Sequence, residues 1–148
     1  MRYPKFLPLL RELSRTYHAF EAYSSAHVRS TGLTPAQFDI IATLGNTAGM
    51  TSRELGEKTL ITKGTLTGVV DRMVDKKLVR RNAFPGDGRC QIVQLTAQGE
   101  KLFASVFPAQ LAHMQRAFAH FSRNELAEIT GNLSRLREAF ADAHDSGR

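Results

Sequence analysis

Two short β-prone runs, Leu78-Val79-Arg80-Arg81-Asn82-Ala83-Phe84 and Arg89-Cys90-Gln91-Ile92-Val93-Gln94-Leu95, flank the tetrapeptide Pro85-Gly86-Asp87-Gly88. Proline and glycine at those places are turn residues, so the segment predicts a β-hairpin. Elsewhere the apolar residues recur at steps of three and four, the period of a helix buried on one face. The fold class is therefore mainly α with a small antiparallel β-hairpin, and everything else must pack around that one ribbon.

The helices can be placed by their caps. Leu10, Leu13, Tyr17 and Phe20 mark a first helix over residues 9–30, ending near Thr31-Gly32. Thr34-Pro35-Ala36-Gln37 supplies a cap hydroxyl, a proline at the first helical position and a glutamine three residues past the cap, so a second helix starts at Pro35 and buries Phe38, Ile41 and Leu44. Thr51-Ser52-Arg53-Glu54 reads as a capping box for a short third helix. Thr62 is placed to cap a fourth, in which Leu66, Val69, Val70 and Met73 face inward while Lys63, Thr67, Gly68, Asp71 and Arg72 face solvent. Beyond the hairpin, Thr96 caps a long helix with a bend expected at Pro108. Ser122-Arg123-Asn124-Glu125 is a further capping box, and Leu126, Ile129, Leu133, Leu136 and Phe140 follow as a narrow seam, with a frayed tail over 143–148.

A short helix-turn-helix followed by a basic hairpin fits a winged helix-turn-helix core, whose second helix enters the DNA major groove while the wing reaches the backbone or minor groove. Charge is concentrated there: the chain carries +6, and between Thr51 and Cys90 nine basic residues stand against five acids, +4 of that total. Thr62, Lys63, Thr65 and Thr67 gather hydroxyls and an ammonium near a helix N-terminus that also attracts phosphate. Gly64 and Gly68 weaken that helix by roughly 1 kcal/mol each relative to alanine. Such a cost implies close backbone approach, either to DNA or to the preceding helix. In the hairpin, the Asp87 carboxylate can orient the Arg89 guanidinium before it enters a narrow groove. With Arg72, these make the candidate DNA-contact set Thr62, Lys63, Thr65, Thr67, Arg72, Asp87 and Arg89.

Leu33-Thr34-Pro35-Ala36-Gln37-Phe38, Gly64-Thr65-Leu66-Thr67, Val70-Asp71-Arg72-Met73, Lys76-Lys77-Leu78-Val79-Arg80-Arg81, Asp87-Gly88-Arg89 and Leu95-Thr96-Ala97-Gln98-Gly99 together resemble the MarR family of transcriptional regulators over about residues 33–100. The resemblance implies a homodimer knit by its terminal helices, binding pseudo-palindromic operators and usually relieved as a repressor by a small ligand or by oxidation. It implies DNA contact at Thr65, Thr67, Asp87 and Arg89, and an effector pocket between the dimer helices and the core, for which Tyr17, His18, Tyr23 and Phe38 are the candidates. Many relatives carry DRR where this chain has Asp87-Gly88-Arg89, so one wing arginine is missing. The peroxide-sensing branch places a cysteine in the first helix, whereas the single cysteine here, Cys90, lies in the hairpin. Urate-responsive relatives carry a tryptophan, and this chain has none.

The organisation expected is an N-terminal dimerisation helix (1–32), a winged helix-turn-helix core (33–96) and C-terminal dimerisation helices (97–148) forming one compact unit. The function expected is a sequence-specific, ligand-responsive homodimeric repressor, with double-stranded DNA and a small-molecule effector as partners. A winged-helix protein-interaction module is the alternative. Neither an apolar signal region nor a membrane-spanning run is visible, and a lone cysteine fits a reducing compartment, so a cytoplasmic location is expected. No enzyme motif such as GxSxG or HExxH occurs, the five histidines lack tight ligand spacing, and no cofactor or metal is expected.

Overall fold

The computed structural model describes residues 1–84 and 86–147. Helix α1 (Leu7–Ser30) and helix α2 (Pro35–Leu44) are followed by a two-residue strand β1 (Met50–Thr51), helix α3 (Ser52–Thr59) and helix α4 (Lys63–Asp75). The wing is strand β2 (Val79–Phe84) with strand β3 (Asp87–Leu95), and helices α5 (Ala97–Ala117) and α6 (Arg123–Ser146) complete the chain. Backbone contacts divide it into two compact units, Met1–His113 and Met114–Arg148.

Within the first unit the core forms where the periodicity places it. Leu66, Val69, Val70 and Met73 of α4 are buried together with Phe38, Ile40, Ile41 and Leu44 of α2, and Ile40, Ile41, Leu55, Met73 and Val93 have 0% of their surface exposed. Burying side chains of this kind stabilises by about 1.5–3 kcal/mol each. The N-cap of α2 is as expected: the Thr34 hydroxyl accepts from the Gln37 amide and the Gln37 side chain accepts from the Thr34 amide. At α3 the box is half formed, since Thr51 accepts from the Glu54 amide while the Glu54 carboxylate meets the Thr51 hydroxyl and not its amide. At α4 Thr62 occupies the N-cap, yet its hydroxyl donates to that of Thr65 at 3.2 Å and caps no backbone amide.

The sheet differs from a bare hairpin. Met50 and Thr51 pair with Val93 and Ile92, giving the strand order β1-β3-β2. The expected four-residue turn is also shorter: Asp87 and Gly88 belong to β3, Phe84 pairs with Asp87, and the ladder slips between Ala83 and Phe84. That slip leaves residues 88–90 opposite no residue of β2. Pro85, the first residue of the expected turn, lies outside the described residues, as does Arg148 of the expected frayed tail; the rest of that tail is helical to Ser146.

The Leu95-Thr96-Ala97-Gln98-Gly99 motif acquires a physical meaning at the wing's exit. The Thr96 amide and hydroxyl donate to the carbonyls of Leu78 and Lys77 at 3.0 and 2.6 Å, and the Thr96 hydroxyl accepts from the Gly99 amide at 3.1 Å. A Cβ at Gly99 would collide with the Leu78 carbonyl, so only glycine lets the first turn of α5 lie this close to the backbone that leads into β2.

Polar groups fasten α5 to α1. The buried Gln110 amide donates to the Ser24 carbonyl and hydroxyl at 3.3 and 3.1 Å, which leaves its oxygen to accept from His27 Nδ1 at 2.7 Å. His113 Nε2 donates to the Tyr23 carbonyl at 2.8 Å, the Tyr23 hydroxyl returns a bond to the His113 carbonyl at 2.7 Å, and the two rings stack at 4.0 Å. Most of the apolar stripe on α1 stays uncovered, with Leu10, Tyr17 and Phe20 exposed and Val28 its one buried residue.

In the second unit the Ser122–Glu125 capping box is complete. None of the residues of α6 is buried, and Ile129, Leu133 and Phe140 are exposed by 42%, 50% and 53%. Helix α5 runs without interruption through Pro108. No helix among the described residues is long and apolar enough to cross a membrane.

Candidate nucleic-acid interface

The apolar face of α4 is consumed by the core, so its remaining residues are set outward by geometry alone. Thr62, Lys63, Thr65, Thr67 and Arg72 are all exposed, whereas Gly68 is half-buried. Thr67 back-bonds to the Lys63 carbonyl at 3.3 Å, which fixes its hydroxyl beside the first turn. The two glycines are not explained by helix packing. A Cβ at Gly64 would meet nothing within 4 Å, and one at Gly68 would meet only the tip of Arg72, 4.0 Å away. The preceding helix is thus ruled out as the neighbour that requires them.

Asp71 does not face solvent unpaired: its carboxylate holds the Arg81 guanidinium at 2.6 Å and ties α4 to β2. In the wing, the Asp87 carboxylate accepts from the Arg89 amide at 3.0 Å. That bond corrects the expected one to the guanidinium. A carboxylate two residues ahead of an amide closes an Asx turn more easily than it reaches the end of a long side chain. Among the described residues the ion pairs are Arg53–Glu57 and Arg81–Asp71, so the Arg89 side chain, exposed in the slipped part of the ladder, has no acidic partner there.

A groove of about 840 Å³ runs between the helix-turn-helix and the wing. Lys63 and Thr67 line one side, and Arg89, Cys90 and Gln91 line the other, and the ion-paired Arg53 and Glu57 of α3 line it as well. Of the expected contact residues, Lys63, Thr67 and Arg89 are therefore brought together. Thr62, Thr65, Arg72 and Asp87 do not line the groove; Thr65, Gly68 and Arg72, spaced three and four apart, form the adjoining strip of α4. Arg53 and Gln91 escaped the sequence reading. Arg53 stands in the sequence only within the capping box of the third helix and the basic tally, and the sequence carries no signal that turns Gln91 toward the groove.

The expected effector residues separate. Tyr17 and Phe38 line a small cavity of about 150 Å³ between α1 and α2, together with Phe20, Glu21 and Asp39. His18 and Tyr23 do not line it, because cavity residues on α1 repeat at three and four from Tyr17 and these two fall on other faces; Tyr23 is stacked on His113 instead. The Glu21 carboxylate, hydrogen-bonded to the Tyr17 phenol, raises the phenol above its ordinary 10.0, and burial raises the Asp39 carboxyl above 3.8.

A polar outward helix face beside a basic wing, both held by one core, defines a winged helix-turn-helix DNA-binding regulator of transcription. The MarR family model matches residues 31–89. The chain is 30% identical over 132 residues to the HTH-type transcriptional regulator MhqR of Bacillus subtilis, covering 89% of this chain and 91% of that one. The chain belongs to the MarR family. Its fold is similar to that of AbsC, a MarR family transcriptional regulator from Streptomyces coelicolor, with a TM-score of 0.84 at 22% identity over 96% of this chain and 99% of that one. It is also similar to that of BpsR of Bordetella bronchiseptica, whose DNA binding is regulated by 6-hydroxynicotinic acid, with a TM-score of 0.80 at 24% identity over 93% and 98% of the two chains.

Proposed function

We propose that this chain is a homodimeric repressor that binds a pseudo-palindromic operator and releases it when a small molecule binds. The observation that carries the reading is the convergence of Lys63, Thr67 and Arg89 on one groove, with no acid of the described residues neutralising Arg89. Lysine and arginine contacts to phosphate set affinity and register, while the outward side chains of α4 read base edges and Arg89 reads the groove beside the wing. The open space over Gly64 and Gly68 supports close approach of that helix to DNA.

Dimerisation is supported by apolar side chains that the protomer leaves in water on α1 and α6, the seam predicted for the terminal helices. Two copies then place their recognition helices about one DNA turn, ~34–36 Å, apart. The regulation described for BpsR supports a ligand-responsive reading, and the cavity at Tyr17 and Phe38 is the site we assign to the effector here. Titrating a duplex selected from a random pool with wild type and Arg89→Ala tests the reading. Loss of affinity in the variant is expected; equal affinity at every salt concentration would remove the wing from the interface.

A further inference from the structure

The cavity between α1 and α2 has a chemical character that the proposed function leaves unspecified. Its walls include three aromatic rings, Tyr17, Phe20 and Phe38, with Tyr17 and Phe20 tilted by 43° at a centroid distance of 6.5 Å. Both charged residues that line it, Glu21 and Asp39, are acids, and no lysine, arginine or histidine lines it. Neither acid forms an ion pair with any described residue. The volume of about 150 Å³ is that of a cavity able to hold one benzene ring.

These features select a ligand by sign. A carboxylate entering the cavity meets two like charges and no cation, so its approach is repelled. A protonated amine meets two carboxylates and the negative faces of aromatic rings. We propose that the cavity takes a single-ring aromatic ammonium ion, its ring against Tyr17, Phe20 and Phe38 and its charge against Glu21 and Asp39. The proposal rests on the reading of this cavity as the effector site and narrows its ligand to an organic cation, opposite in charge to the acid that regulates BpsR.

The test uses the full-length chain with benzylamine and benzoate, two ligands of one ring and opposite charge, each titrated by calorimetry and by release of a labelled duplex. Benzylammonium is expected to bind, benzoate to bind at least tenfold more weakly, and the double variant Glu21→Gln, Asp39→Asn to lose about tenfold or more of the benzylammonium affinity, as loss of a charged hydrogen bond implies. Phe38→Leu is expected to weaken benzylammonium binding while leaving its preference over benzoate. Benzoate binding as tightly as benzylammonium, no binding of either, or benzylammonium binding unchanged in the double variant would overturn the assignment. The duplex arm separates the two readings. Benzylammonium that binds without releasing DNA supports the cation site and refutes its effector role; benzoate that binds in the cavity and releases DNA supports the effector role and refutes the cation site.

Discussion

Helices α4 and α6 both carry an apolar stripe at helical spacing, and the structure treats them oppositely. In α4 Leu66, Val69, Val70 and Met73 are all buried, whereas none of the residues of α6 is. The difference shows what a stripe encodes. It specifies that a partner surface exists, not whether that surface belongs to the same chain. For α4 the partner is the core, so the outward side chains other than Asp71, which holds Arg81, can face a ligand; for α6 the apolar face is itself the unfilled surface.

The comparison can be broken by substitutions in the two stripes. Leu66→Ala is expected to cost about 2–5 kcal/mol, read by denaturant unfolding, because it opens a hole in packed surroundings. Leu133→Asp on α6 is expected to leave the stability of an isolated protomer within about 0.5 kcal/mol while shifting sedimentation from dimer to monomer at micromolar concentration. Comparable losses of protomer stability in both variants would show that α6 is packed like α4.

Effects on the outward side of α4 and on the wing are smaller. Arg89→Ala is expected to reduce operator affinity by about 1–3 kcal/mol and, where Arg89 lies on phosphate, to lower the salt slope by about one. Gly64→Ala is the sharper test because its two effects have opposite signs. Alanine removes a helix penalty of about 1 kcal/mol, so thermal stability should rise, while a methyl group on the DNA-facing surface should weaken binding. A rise in stability with unchanged affinity would place Gly64 outside the interface.

Asp39→Asn gives the smallest change expected. Burial raises the Asp39 carboxyl above its ordinary 3.8, so folding favours the protonated form. That stabilisation is fully present below the unfolded value and is lost as pH rises through the folded one. Asparagine imitates the protonated acid, so the variant should melt slightly higher than wild type at pH 7, and the gap should close below pH 3.8. A gap independent of pH would exclude the carboxyl as its source.

Much of this architecture was legible because the signals were local. Thr34 with Gln37 and Ser122 with Glu125 form the boxes their spacing predicts, and the buried stripe of α4 is the one its period names. What escaped depended on distant neighbours. β1 exists because Met50 and Thr51 meet β3 more than forty residues later, and no two-residue strand has a periodicity of its own. Asp87 and Gly88 read as turn residues, yet the ladder slip draws them into β3 and presents Arg89 to the groove. The aromatic set on α1 was divided by the helix turn, which sends Tyr17 into the cavity with Phe38 and Tyr23 onto His113.

Selection of bound duplexes from a random DNA pool, followed by titration of the winner and a scrambled control across salt concentrations, tests the central claim most directly. An enriched inverted repeat with half-sites about one helical turn apart, preferred over the control at every salt concentration, is the predicted result. No enrichment, with both duplexes losing affinity in parallel as salt rises, would reduce the basic groove to non-specific attraction and contradict the account.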